Sequence, residues 1–235
     1  MSPVVISVTA LGVVVLASLT MIAIAARRGR RPGRGGLVMA SVGMTLWCVG
    51  LITQLTSRDP QVKQWLGGVV YLGICVGVVG IAHSLTELAG RPRVPRWVWA
   101  LIAIPGIVTP TLVATGWDEL VLRNVRARAG TGPVVSESGP WFFLHTVWAY
   151  SLLAGSLLTF ALVAQNAPAP LRRQAHLIAA AMAVPMLANV VFISGLVDTG
   201  AYDPTPYTLI VSNIALAWAV LRGRLIEGQI GMVGL

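Results

Sequence analysis

Seven times along this chain a run of about twenty residues passes with almost no charge, and a run of that length crosses the hydrocarbon of a bilayer as an α-helix. The runs lie at about 3–26, 36–57, 65–89, 95–115, 139–164, 173–197 and 204–222. Inside a bilayer each backbone N–H and C=O must be satisfied within its own helix or within a closed barrel, so runs of this length leave little choice of fold. Only 11% of the 235 residues are charged, where a soluble domain carries roughly a quarter. The sequence predicts an all-α, polytopic membrane protein: one seven-transmembrane helix bundle over residues 1–235, with a single long connection at 116–138. The first run is followed at once by "RRGRRPGRGG" and preceded by no positive charge. A signal peptide has the opposite flanks, so this helix is retained.

The placement of charge orients the bundle. Arg27, Arg28, Arg30, Arg31, Arg34, Arg91, Arg93, Arg96, Arg172, Arg173, Arg222 and Arg224 fall on one side, with only Glu87 and Glu227. The other side has Arg58, Lys63, Arg123, Arg126 and Arg128 against Asp59, Asp118, Glu119, Glu137, Asp198 and Asp203. Cytoplasmic loops carry the arginine excess, which predicts an outside N-terminus, a cytoplasmic C-terminus, an extracellular 116–138 loop and a plasma-membrane location. The net charge of +9 is thereby a topology signal, its partner an anionic inner leaflet rather than nucleic acid.

Enzymatic patterns are missing: the chain has no HExxH, GxSxG or GxxxxGK[ST] and no pair of intramembrane carboxylates. The single lysine, Lys63, falls in an outer loop on these boundaries, which excludes a retinal Schiff base inside a span. Cys48 and Cys75 sit in apolar runs and read as two buried thiols, with no disulfide, metal or redox role. No catalytic residue, metal or cofactor is expected. His83 and Glu87, four apart near an inner helix end, read either as a pH-sensitive pair or as an interfacial pair among headgroups and arginines. Gly73 and Gly77 make a small-xxx-small pair, suited to helix packing within the bundle or to a homodimer.

Four hydrogen-bonding side chains fall at similar depth below the outer surface. With about 1.5 Å of rise per residue, Tyr71 and His145 lie about 9 Å down, Asn189 about 12 Å and Asn213 about 14 Å. Trp148 continues the His145 face. None of these groups can stay unpaired in hydrocarbon, so they face one another, water or a ligand. In "VPMLANVVF", Pro185 removes a backbone donor from the carbonyl of Ala181, and Asn189 follows one turn later on the same face. Two readings remain open: a bent helix pinned by interhelical hydrogen bonds, or an outward-facing pocket whose occupancy changes the bend. Asp203, before Pro204 and Thr205, reads as the cap of the last helix.

"GPWFFLHTVWAY", "LRRQAHLI", "VPMLANVVFISGL", "DPTPYTLIVS" and "LRGRLIE" stand in an order that resembles the seven-transmembrane N-terminal sensor region of histidine kinases. The similarity extends over essentially the whole chain and is specific from about residue 139 onward. His145, Arg173, Gln174, Pro185, Asn189, Asp203, Thr205 and Pro206 fall on the family's characteristic positions, with Arg172, Arg173 and Gln174 at the cytoplasmic boundary. The resemblance implies a sensory input domain for an unidentified ligand, coupled to a cytoplasmic kinase or other output module, or to a separate signalling partner. Two departures stand out. "ATGWDEL", after the fourth run, lacks the family's asparagine and histidine, and the 235 residues hold no HxxxxP phosphoacceptor helix or nucleotide-binding domain, so no kinase activity is expected of them. A membrane scaffold for a cytoplasmic partner and a small-solute transporter are the alternative functions.

Overall fold

The computed structural model describes residues 2–27, 32–90, 94–127, 130–166, 168–197 and 202–222. Arg28, Arg30, Arg31, Arg91, Arg93, Arg128, Asp198, Arg224, Glu227 and the side chain of Gln174 lie outside the described residues. Seven helices follow one another: α1 (Pro3–Arg27), α2 (Arg34–Thr56), α3 (Pro60–Leu88), α4 (Arg96–Ala114), α5 (Pro140–Gln165), α6 (Ala169–Ser194) and α7 (Thr205–Arg222). The first six are long and apolar enough to cross a membrane by length and composition. The seventh has 18 residues, and the side chains of its last three, 220–222, lie outside the described residues. Leu16, Ile107, Leu144, Val147, Leu158, Leu177 and Leu187 stand exposed around the outside, as a lipid-facing belt requires.

Helices α1, α2, α3, α5, α6 and α7 each touch the next, and α7 returns to α1 and α2, closing a ring; α4 packs outside it against α3. The α2–α3 contact is the closest because glycine lines it. Gly36, Gly43 and Gly50 recur every seventh residue on α2, facing Gly73 and Gly80 on α3. A Cβ at Gly43 would overlap the backbone of Gly77, one at Gly73 that of Trp47, and one at Gly80 that of Ala40. A Cβ on Gly77 would meet open space, but the Gly77 backbone lies against Gly43, so the expected Gly73–Gly77 pair packs within the bundle as part of this seam. One apolar cluster fills the end of the ring near Ala25, Leu37, Leu88, Phe160 and Ile178. A second joins α1, α2 and α7 through Leu11, Val14, Met44, Cys48 and Leu55.

Residues 116–138 form more than a connector. A short 3₁₀ turn (Asp118–Leu120) leads into β1 (Leu122–Ala127), which pairs antiparallel with β2 (Val134–Ser138). The register shifts between Arg123 and Arg126, where Asn124 takes a φ of 51°. This hairpin departs from the all-α expectation. It is anchored at its turn by Lys63, whose Nζ donates to the carbonyls of Gly130 (2.7 Å) and Gly132 (3.0 Å), and at its base by Gln64, which donates to Asp118. Lys63 is fully buried, not a loop residue. Asp59 accepts from Gln61 N and Val62 N, with Pro60 at the first helical position, so α3 begins a turn earlier than hydropathy alone suggests and draws the lysine into the helix.

Candidate functional site

The ring encloses a cavity of about 240 Å³ between α2, α3, α5, α6 and α7. On α5 its wall is a single helical face, with His145, Ala149, Tyr150, Leu153 and Leu157 spaced at three and four residues. Tyr71, His145, Asn189 and Asn213, expected at one depth, all line it. So do Tyr150, Pro185, Asp203 and Thr205. Tyr71, His145, Tyr150, Asn189, Asp203 and Thr205 lie toward the hairpin and the α6–α7 connection, whereas Ile81, Leu85, Leu153, Leu157 and Met182 line the far half, and Asn213, next to the Ser212 that reaches Ala181, stands at the level of Met182.

Three hydrogen-bond arrangements cross between helices here. In the first, Tyr150 Oη on α5 donates to Asn189 Oδ1 on α6 (2.9 Å) and lies 3.2 Å from the Met186 carbonyl. Asn189 Nδ2 donates to Thr205 Oγ1 at the start of α7 (2.9 Å), and Thr205 N donates to Asp203 Oδ1 (2.9 Å). One asparagine thus joins α5 to α7 through α6. Burial pushes the Asp203 carboxyl above the ordinary carboxylate range, against the hydrogen bonds from Thr205 that pull it down.

In the second, Ser212 Oγ on α7 donates to the carbonyl of Ala181 on α6 at 2.6 Å. That carbonyl lies four residues before Pro185 and has lost its helical N–H to the proline ring. A hydroxyl from the neighbouring helix replaces the missing donor. In the third, Trp141 Nε1 donates to Thr109 Oγ1 (2.8 Å), which lies 3.1 Å from His145 Nδ1. Tyr71 meets the His145 ring edge-on at 5.5 Å.

Other sequence-level candidates fall elsewhere. Trp148 does not line the cavity: its Nε1 donates to the Ile102 carbonyl on α4 (3.1 Å) while its ring packs against His145 at 5.3 Å. Its indole turns toward α4, where the Ile102 carbonyl accepts its N–H. His83 and Glu87 do not pair. His83 stacks on Trp99 with its Nδ1 buried and unpartnered among the described residues, and Glu87 accepts from Gly33 N at 2.7 Å. Arg172 and Arg173 are exposed near the start of α6. Cys48 and Cys75 are buried free thiols. Among the described residues no three His, Cys, Asp or Glu side chains converge as metal ligands. Sequence reasoning missed Tyr150, Thr109 and Trp141. Tyr150 was findable as a phenol in an apolar run one turn beyond Thr146; Thr109 and Trp141 needed the α4–α5 pairing.

Comparison with known proteins gives one result for nearly the whole chain. No curated protein matches it. A family model described as "N-terminal 7TM region of histidine kinase" matches residues 5–227.

Proposed function

Because the chain belongs to the family of N-terminal 7TM regions of histidine kinases, we propose that it is the sensory input domain of a signalling protein. In this reading it detects a stimulus from outside or from within the membrane and passes it through the helices to a cytoplasmic kinase module, joined to it or supplied by a separate partner. The N-terminus lies outside and the C-terminus in the cytoplasm of the plasma membrane, because arginine crowds the loops at the ends of α1, α3 and α7 and the start of α6.

The observation that carries this reading is the Tyr150–Asn189–Thr205–Asp203 chain beside the cavity. It ties α5 and α6 to the beginning of α7, the helix whose other end leads toward the C-terminus. A ligand moves such a helix only by favouring one arrangement over another, and side chains that both line the cavity and hold α7 give it that differential contact. Polar groups concentrated in the outer half, with hydrocarbon at Ile81, Leu85, Leu153 and Leu157 beyond them, favour sensing over transport, since a solute path needs polar groups through to the inner side.

The test is a reporter fusion of this region to a kinase module, comparing wild type with Asn189→Leu and His145→Leu. Both variants should insert at wild-type levels and lose the response to stimulus. A wild-type response from both would refute the assignment of the cavity as the input site.

A further inference from the structure

Two sets of polar groups line the cavity, and they differ in kind. Those on Tyr150, Asn189, Thr205 and Asp203 are spent on one another. Tyr71 Oη, the Asn213 amide and His145 Nε2 are not: among the described residues none of these atoms has a hydrogen-bond partner, although Tyr71 is 7% exposed and the other two residues 5%. The only unpaired side-chain atoms wholly sealed from access are Ser41 Oγ and His83 Nδ1 among the described residues, so the three free groups open onto the cavity they line.

The state of His145 follows from its neighbour. Thr111 and Thr115 on α4 donate their hydroxyl protons to the carbonyls four residues back. Thr109 makes no such bond among the described residues; it accepts the Trp141 N–H, and the acceptor within reach of its own proton is His145 Nδ1. An imidazole that accepts at Nδ1 carries its proton on Nε2. His145 is therefore a neutral ring presenting a donor, beside a phenol that both donates and accepts.

Beyond His145 and Tyr71 the wall is mostly hydrocarbon, with the Asn213 amide beside it at the level of Met182. From His145 to Leu157 is twelve residues along α5, about 18 Å of helix. That is a little more than half of the ~30 Å hydrocarbon core, the depth of one leaflet. Among the described residues no lysine or arginine lines the cavity, and the one acid that does, Asp203, already caps α7. An anionic head would meet no counter-charge, and a cationic one would have to draw Asp203 from Thr205; an unpaired buried charge is strongly disfavoured.

We propose that the cavity binds an uncharged, single-chain amphiphile, with a small hydroxyl or carbonyl head on His145 and Tyr71 and an alkyl tail running toward Leu153 and Leu157. This rests on the reading of the cavity as the input site and names the chemistry of its occupant. The same chemistry is available from a neutral single-chain lipid of the bilayer or from a diffusible molecule outside the cell.

The experiment measures equilibrium binding of radiolabelled dodecanol to the whole chain in lipid nanodiscs, corrected for partition into empty nanodiscs. Dodecanoate, dodecyltrimethylammonium and hexanol compete in parallel. Dodecanol should bind saturably, and each competitor should be weaker by at least roughly tenfold. Tyr71→Phe with His145→Leu should weaken dodecanol by about the same factor, and Leu157→Trp, which fills the far end, should weaken dodecanol more than hexanol. Absent saturable binding, or equal binding of either charged analogue or of hexanol to the unmodified chain, would overturn the proposal whatever the variants do. Displacement of dodecanol by monoacylglycerol added to the bilayer marks a membrane source; insensitivity to it marks a diffusible one, and both support the class. Binding without any reporter response would sink the sensory reading alone. A reporter response that needs Asn189 and His145, without amphiphile binding, would sink this one alone.

Discussion

The hydrogen bond from Asn189 to Thr205 makes a quantitative claim about how α6 and α7 are coupled, and a double-mutant cycle isolates it. Asn189→Leu removes both its bonds, to Tyr150 and to Thr205. Tyr150 keeps the Met186 carbonyl 3.2 Å away as an acceptor, so the uncompensated loss falls on buried Thr205. Interhelical hydrogen bonds in membrane proteins contribute about 0.6 kcal/mol on average and up to about 1.7. The geometry here is good and Thr205 is 5% exposed, so Asn189→Leu should cost about 1–2 kcal/mol. Thr205→Val should cost about 1 kcal/mol through the same bond. The double variant should then cost less than the sum of the singles by about 0.6–1.5 kcal/mol. Reversible unfolding in mixed detergent micelles, followed by far-UV circular dichroism, measures all four species. Strict additivity would show that the two side chains do not interact in the folded bundle, and the proposed link from α6 to α7 would fall with it. Signalling gives an independent readout: a coupling of about 1.4 kcal/mol changes a two-state ratio about tenfold, so the basal output of a reporter fusion should shift by up to that factor.

Ser212→Ala should cost about 1 kcal/mol by stranding the Ala181 carbonyl, and adding Pro185→Ala, which restores that carbonyl's own N–H, should recover most of the loss in the same unfolding assay. Lys63→Met should free the hairpin turn without unfolding the bundle, read as loss of amide-exchange protection at residues 130–133 while the helices keep theirs. Gly43→Val, which drives a side chain into the α3 backbone, should destabilise by about 3 kcal/mol or more, seen as loss of folded protein on detergent extraction. The raised carboxyl of Asp203 reverses the usual carboxylate behaviour. Its folded-state value lies above the unfolded value of about 3.9, so the native form binds the proton more tightly, and stability falls as pH rises from the unfolded value through the folded one. Asp203→Asn should flatten that segment of the stability-against-pH curve, measured by thermal unfolding.

The helices were legible because their signal is long and redundant. Each hydrophobic run outlasts any local ambiguity, and caps such as Asp59–Pro60 and Asp203–Pro204 mark where two of them begin. Asn189 and Pro185 were legible for the opposite reason, as costly residues in an otherwise uniform run. What the sequence hid was pairing. Lys63 looked like a loop charge because nothing local says that two carbonyls nearly seventy positions away will take its protons. The hairpin was hidden by its irregular register, and Trp148 looked like part of the pocket because a helical face reads the same whether it turns toward a cavity or a neighbouring helix. The heptad of glycines on α2 was in plain view; its role as a seam needed the partner glycines of α3.

That seam sets the mechanics of the bundle. Helices in backbone contact cannot slide or rotate without collision, because no side chains between them can change rotamer to absorb the shift. Helices α2 and α3 therefore behave as one stiff plate, a stator fixed in the membrane. The α6–α7 pair, joined through a proline-freed carbonyl and one asparagine, is the part with compliance. A movement of α7 large enough to be felt in the cytoplasm is a displacement measured against that plate, so a spectroscopic distance between α2 and α3 should stay constant across signalling states while one between α2 and α7 changes.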